Sequence, residues 1–249
     1  MWKRITFGVM WSVVLSTNLS LAAVDHSVWD TLLKRYVDAD GRVAYQDLKT
    51  KDLAAFEGYL KTLAETSVDG MSEDEEKAFW INAYNALIVS GVLEGNTAEG
   101  FIARKQFFSW YTLKVAGQDR SADDIEHKIL RVKFNDPRIH FTIVCASGSC
   151  PELRQEAYVA AQLDAQLTDA TRRFINDPSR NQITAQQLAI SKIFEWFAED
   201  FVKRAGSVPD FLIGFVDAEK QQILKNKQHE LDYLEYNWTL NAQDGQRVS

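Results

Sequence analysis

The chain has 249 residues and a formal net charge of −7, with 46% hydrophobic and 25% charged residues. An acidic balance with no basic block argues against nucleic acid or an anionic membrane surface as a partner. No repeat, low-complexity tract or Pro/Gly/Ser-rich linker divides the sequence, so one domain is expected.

The first residues stand apart from that domain. Lys3 and Arg4 precede a mostly apolar run from Ile5 to Leu15, and Ser20-Leu21-Ala22 offers small residues at a cleavage position. This is the pattern of a secretory signal peptide. The run falls short of the roughly 20 residues that a membrane span needs, and no Cys follows it for lipid attachment. The expectation is therefore a leader at 1–22, a globular domain at 23–241 and a frayed tail at 242–249. Cleavage after Ala22 leaves 227 of the 249 residues and, by removing Lys3 and Arg4, moves the net charge from −7 to −9. The mature protein is then periplasmic or secreted, with no stable membrane span.

Within the domain, His26 to Val37 places Trp29, Leu32, Leu33, Tyr36 and Val37 at helical spacing. Asp38-Ala39-Asp40-Gly41 follows as a turn. It resembles the middle of a calcium loop, but Tyr36 stands at the first ligand position and Asp47 at the twelfth, where a bidentate Glu belongs, so a plain turn is the better reading. Leu53, Phe56, Leu60 and Leu63 mark a second helix. Ser72 with Glu75 forms a capping box that opens a third helix through Val89, apolar almost all round and so expected to be central and buried. Asn82 and Asn85 interrupt it. A buried amide without partners is costly, which leaves two readings: amides bonded to nearby backbone, or amides lining a polar pocket.

Gly95-Asn96 stops that helix, and the aromatic cluster Phe107-Phe108-Ser109-Trp110 reads as core or pocket wall. Tyr111 to Val115 alternates like a strand, with Ala116-Gly117-Gln118 as a turn. Ser121 caps a helix with Asp123 and Asp124 in its first turn, which carries Glu126, His127 and Arg131. Asp136-Pro137 breaks the chain before Ile139 to Cys145, read as a central strand. A long helix follows Pro151, with Leu153, Ala157, Ala160, Leu163, Leu167, Ala170 and Phe174 on one stripe. Short strands at 182–184 and 188–191, helices at 193–202 and 209–215, and a strand-like segment at 231–238 complete the pattern. The fold class is α+β, helix-dominated around a small sheet.

The chemistry-bearing stretch is Ile139 to Pro151, IHFTIVCASGSCP, which holds both cysteines and His140, one of four histidines. A strand leading through a small polar loop into a helix holds reactive groups on a rigid frame. In an exported protein an even cysteine count allows a Cys145–Cys150 disulfide, while the small polar residues between the two also suit a reactive thiol. Pro151 at a first helical position puts Cys150 beside the N-cap, where the helix dipole lowers a thiol pKa. Ala146 to Ser149, with Ser147 and Ser149 among them, supply backbone N–H groups for an oxyanion. This argument leans to Cys150. His140 is the nearest base, but five residues of strand put it and Cys145 on opposite faces. His127, beside Glu126, is the alternative, whereas His26 lies near the cleavage site and His229 in a polar run. Cys145, Cys150, His140 and His127 lack any C-x-x-C or H-E-x-x-H spacing, so no metal is assigned. No phosphate loop or nucleophile elbow implies a cofactor.

Four motifs occur in order: Phe79-Trp80-Ile81-Asn82-Ala83-Tyr84-Asn85-Ala86-Leu87, Asp124-Ile125-Glu126-His127-Lys128-Ile129-Leu130-Arg131, Asp136-Pro137-Arg138-Ile139-His140-Phe141 and Cys145-Ala146-Ser147-Gly148-Ser149-Cys150-Pro151. Ser191-Lys192-Ile193-Phe194 and Tyr236-Asn237-Trp238 extend them. Over most of the mature chain this resembles the domain-of-unknown-function 547 family, with Asn237 where an Asp is expected before the Trp. The resemblance implies no assigned activity; members are exported bacterial proteins and parts of plant proteins. It implies a pocket lined by Asn82, Asn85, Glu126, His127, His140 and the two cysteines, and by analogy a papain- or transglutaminase-like thiol enzyme. The expectation is a thiol hydrolase or acyltransferase acting on an amide or ester of a small molecule or peptide. A cysteine attacks, His127 or His140 shuttles the proton and Glu126 orients it. Its rivals are a non-catalytic periplasmic binding or scaffolding protein with a structural Cys145–Cys150 bridge, and a redox protein cycling the same pair.

Overall fold

The computed structural model describes residues 24–226 and 230–248; the leader read at 1–22 and His229 lie outside them. Three helices, α1 (Ser27–Tyr36), α2 (Tyr45–Lys51) and α3 (Leu53–Glu65), lead into the 21-residue α4 (Glu73–Leu93). Ser72 accepts the Glu75 amide while the Glu75 carboxylate accepts the Ser72 amide at 2.8 Å, the capping box that the sequence announces. Every residue of α4 from Glu76 to Leu93 is buried, because a helix apolar on all sides needs cover on all sides. Asp38 Oδ1 accepts the amides of Asp40 and Arg42 at 3.0 and 2.9 Å, so that carboxylate closes a plain turn.

Helix α5 (Phe101–Lys105) runs into a π-helical turn at Gln106–Trp110, followed by a hairpin of β1 (Thr112–Val115) and β2 (Gln118–Ser121). Ala116 and Gly117, at φ 49° and 75°, supply the two left-handed residues that match a hairpin's twist. Ser121 then accepts the Asp124 amide, as a cap should, but the helix it opens, Asp124–Phe134, is π-helical throughout.

Two expectations fail around the cysteines. Ile139 to Cys145 is not a strand: Pro137–Phe141 is a 3-10 helix whose first turn is capped by Asp136, and the chain then runs irregularly through the cysteines. Pro151 does not open a helix either. Helix α6 (Leu163–Asn176) begins twelve residues later, after a 3-10 turn at Ala160–Gln162. The amides of Ala157, Tyr158 and Val159 are taken by the side chains of Asp30, Asn82 and Gln166, and those bonds outcompete helix formation.

The second sheet orders β3 (Gln182–Ile183), β4 (Leu188–Ile190) and β5 (Asp232–Tyr233), antiparallel then parallel. Around it lie α7 (Ile193–Trp196), α8 (Ala198–Ala205), α9 (Val208–Ile213) and α10 (Ala218–Asn226). The fold is α+β and helix-dominated, with two hydrophobic clusters. One surrounds α4; the other stacks Phe141, Phe174, Phe194, Phe201 and Phe211. The segment 137–151 passes between them, with Phe141 in the second cluster and Ile143, Val144 and Cys150 in the first. Near the C-terminus the backbone bonds to the segment that opens α2. Val43 donates to the Asn241 carbonyl, and Gln243 and Gln46 bond to Val43 and Gln246.

Candidate active site

The two asparagines of α4 shape the site without entering it. Asn85 donates to the Thr142 carbonyl at 2.9 Å and accepts the Val144 amide at 3.0 Å; Asn82 clamps Tyr158 in the same way, at 2.8 and 3.0 Å. Each amide satisfies both of its polar ends on one stretch of irregular backbone. Of the two readings of these amides, the hydrogen bonds show the bonding to backbone. Asn85 instead holds the strandless segment that delivers His140 and Cys145.

At the cysteine loop the amide of Cys145 donates to Cys150 Sγ at 2.6 Å, and Cys145 Sγ lies 3.0 Å from the Ser147 hydroxyl and 3.2 Å from the Tyr236 hydroxyl. Both thiols are free. Ala146 between them sits at φ 55°, a strained setting for a residue with a Cβ. The loop keeps it because Gly148 and Ser149 donate to the carbonyls of Thr239 and Asn237, and Asn241 donates to the Ala146 carbonyl. Burial pushes the Cys145 thiol up, but hydrogen bonds from Cys150, Ser147 and Tyr236 outweigh it and bring the pKa below its ordinary value. Burial and the neighbouring Cys145 push Cys150 well above. No helix starts at Pro151, so no helix dipole acts on the Cys150 thiol. Ser149 uses its hydroxyl to accept the Asn237 amide at 2.8 Å and does not reach the thiols.

His140 carries the other half of the site. Its Nε2 meets Asp200 Oδ2 at 2.7 Å, and Asp200 is also gripped by Arg131 through Nε and Nη2 at 2.7 and 3.0 Å. A carboxylate only accepts, so Nε2 bears the proton and Nδ1 is a bare lone pair. Nδ1 is buried with no hydrogen-bond partner among the described residues; Glu126 Oε1 is 3.8 Å away. The Phe197 ring, stacked at 4.0 Å, fixes the imidazole plane. Burial lowers the His140 pKa and pushes Glu126 up to about 8. Glu126 is therefore a neutral acid at pH 7, with Tyr84 Oη 3.4 Å from its Oε2.

These groups face one cavity of about 150 Å³, lined by Tyr84, Asp123, Glu126, His140, Cys145, Cys150, Tyr236 and aromatic and aliphatic side chains. Larger depressions of about 370 and 640 Å³ contact neither His140 nor Glu126. The strand-parity objection to His140 lapses with the strand. His127 is not in the cavity wall: its ring, 43% exposed, lies against Arg131 at 3.1 Å and Asp123 at 4.0 Å. Asp200 and Tyr236 escaped the sequence reading. Asp200 lies in the helical segment 193–202 and Tyr236 within the Tyr236-Asn237-Trp238 motif, and neither position marks a site along the chain. Among the described residues no cluster of three or more His, Cys, Asp or Glu side chains could hold a metal ion.

No curated protein matches the chain, and no solved structure does. Residues 68–175, which carry Asn82, Asn85, Glu126, His140 and both cysteines, match the family model described as protein of unknown function, DUF547, and this supports placing that stretch in the family.

Proposed function

We propose that the protein is a cysteine-dependent hydrolase or acyltransferase acting on an amide or ester carbonyl. The observation that carries this reading is the bare Nδ1 of His140, fixed as an acceptor by Asp200, in the same cavity as a Cys145 sulfur that two hydroxyls stabilise. Cys145 gives up its thiol proton to His140 Nδ1 and attacks the carbonyl carbon, forming a C–S bond as the carbonyl π pair moves to oxygen. Collapse breaks the bond to the amine or alcohol, which leaves with the proton from His140. Water or another nucleophile, deprotonated by His140, then attacks the thioester and returns the electron pair to sulfur. Neutral Glu126 spares the attacking sulfur a second negative charge. The leader pattern and the acidic mature chain support an exported setting.

The test is acyl-enzyme trapping. After incubation with p-nitrophenyl acetate, the intact mass gains one acetyl group, which digestion places on Cys145. Cys145→Ala loses the adduct, Cys150→Ala keeps it, and His140→Ala forms it about a hundredfold or more slowly. Acylation of Cys150 alone, or acylation that survives Cys145→Ala, overturns the assignment. A thiol pair that alkylates only after reductant would favour the structural or redox bridge.

A further inference from the structure

We infer that Arg104 forms an anion subsite at the mouth of the Cys145 cavity, so that the substrate joins an apolar acyl part to a carboxylate; this rests on the thiol reading above. The outer wall of the cavity is an aromatic cluster. The rings of Trp196, Tyr236 and Trp238 lie 4.5 to 5.7 Å apart, and Trp196 is 46% exposed. The guanidinium of Arg104 lies over Trp238, 4.4 Å from the ring centre. Among the described residues its guanidinium makes one hydrogen bond, from Nη1 to the Ala98 carbonyl at 3.3 Å.

Five N–H donors serve an arginine, so most of those on Arg104 are unspent, and no carboxylate among the described residues pairs with it. Arg131, Arg138, Arg154, Arg173 and Arg180 each hold at least one acid. Glu99, close by in sequence, is taken by Arg247 at 3.3 Å and by the Leu240 amide at 3.2 Å. Stacking on an indole pre-orients the guanidinium fork, which lowers the entropy lost on gripping a carboxylate. Two of the acids around the cavity do not oppose an anion there: Glu126 is neutral at pH 7 and the charge of Asp200 is met by Arg131. The third, Asp123, has a side chain 40% exposed to screening solvent.

Cavity size sets the division of the substrate. About 150 Å³ is below the roughly 300 Å³ of a pocket that swallows a whole ligand. Only the apolar end enters, against Ile143, Ile193, Phe108 and Phe197; the rest lies along the aromatic wall toward Arg104.

Maleimides test this without knowledge of the natural substrate. Labelling rates at Cys145 are measured with neutral N-ethylmaleimide and with maleimidopropionate and maleimidohexanoate, whose carboxylates sit at two distances. The expected result is a roughly tenfold faster reaction for at least one carboxylated probe, equivalent to about 1.4 kcal/mol of added binding, and a weaker preference at high salt. Arg104→Gln removes the preference and Arg104→Lys restores part of it. Equal rates for all probes, or a preference that survives Arg104→Gln, overturn the subsite and leave the thiol reading intact. Failure of every probe to label Cys145 removes both.

Discussion

Glu126 and Asp200 are two carboxylates on opposite sides of one imidazole, and their surroundings drive them apart. Burial alone would raise both. In Asp200 the hydrogen bonds from His140 and Arg131 win and hold the carboxyl well below its usual range, whereas in Glu126 burial outweighs the pull of the Arg131 charge and pushes the carboxyl up to about 8. A split of this kind separates acid from base roles within one site. It also has a stability consequence. Between the ordinary carboxyl value of 4.5 and about 8 the native state holds the Glu126 proton and the unfolded chain does not. Its contribution is therefore full below pH 4.5 and lost as pH rises toward 8. Glu126→Gln removes that dependence. In urea melts the variant should gain about 3 kcal/mol more, relative to wild type, at pH 8 than at pH 5. An equal effect at both pH values would show that the carboxyl is ionised in the folded protein.

At the scale of elements, α4 is more than a core helix. Its two asparagines each zip a different irregular segment to the centre of the molecule, Asn85 to 142–144 and Asn82 to Tyr158. Replacing either with Ala strands a buried backbone donor and acceptor, at a cost of about 3–5 kcal/mol. The two variants should differ in one respect. Asn85→Ala also slows alkylation of Cys145, because it frees the backbone beside that residue, while Asn82→Ala leaves Cys145 reactivity near wild type. Identical effects on Cys145 would mean that the clamp at 142–144 does not position the sulfur. The π-helix Asp124–Phe134 is the second unusual element. Such helices are rare and concentrate at functional sites, and this one places Glu126 in the cavity while leaving His127 outside it.

For the whole molecule, the site exists because distant parts of the chain converge on 137–151. Asp200 comes from α8, Tyr236 and Trp238 from the segment after β5, and the C-terminal residues close the ring. Asn241 donates to the Ala146 carbonyl and accepts, through its side chain, the Tyr45 hydroxyl at 2.8 Å. Truncation before Asn241 should lower stability by about 2–4 kcal/mol, the worth of several partly buried hydrogen bonds, and loosen the cysteine loop. Thermal melts and Cys145 alkylation report the two effects separately. An unchanged melting temperature would mean that these bonds form no part of the folded core. Among the described residues no helix is long and apolar enough to cross a membrane.

What the sequence by itself determined is what local interactions encode. The capping box at Ser72, the helical spacing in α1 and α3, the all-apolar character of α4 and the strand and turn through Ala116-Gly117 rest on contacts within a few residues, so their signals lie side by side. The set Cys145, Cys150, His140 and Glu126 was legible for a similar reason, as reactive side chains within specific motifs. Only the tertiary structure decided how their surroundings differ. Ile139 to Cys145 has the composition of a buried strand, but Asp136 and Asn85 satisfy its backbone in another shape, and that choice removes the parity barrier between His140 and Cys145. The two thiols differ, Cys145 lowered and Cys150 raised, because the pKa of each is set by partners up to 91 positions away, Tyr236 among them. Desolvation and hydrogen bonding act through space, and no spacing along the chain records them.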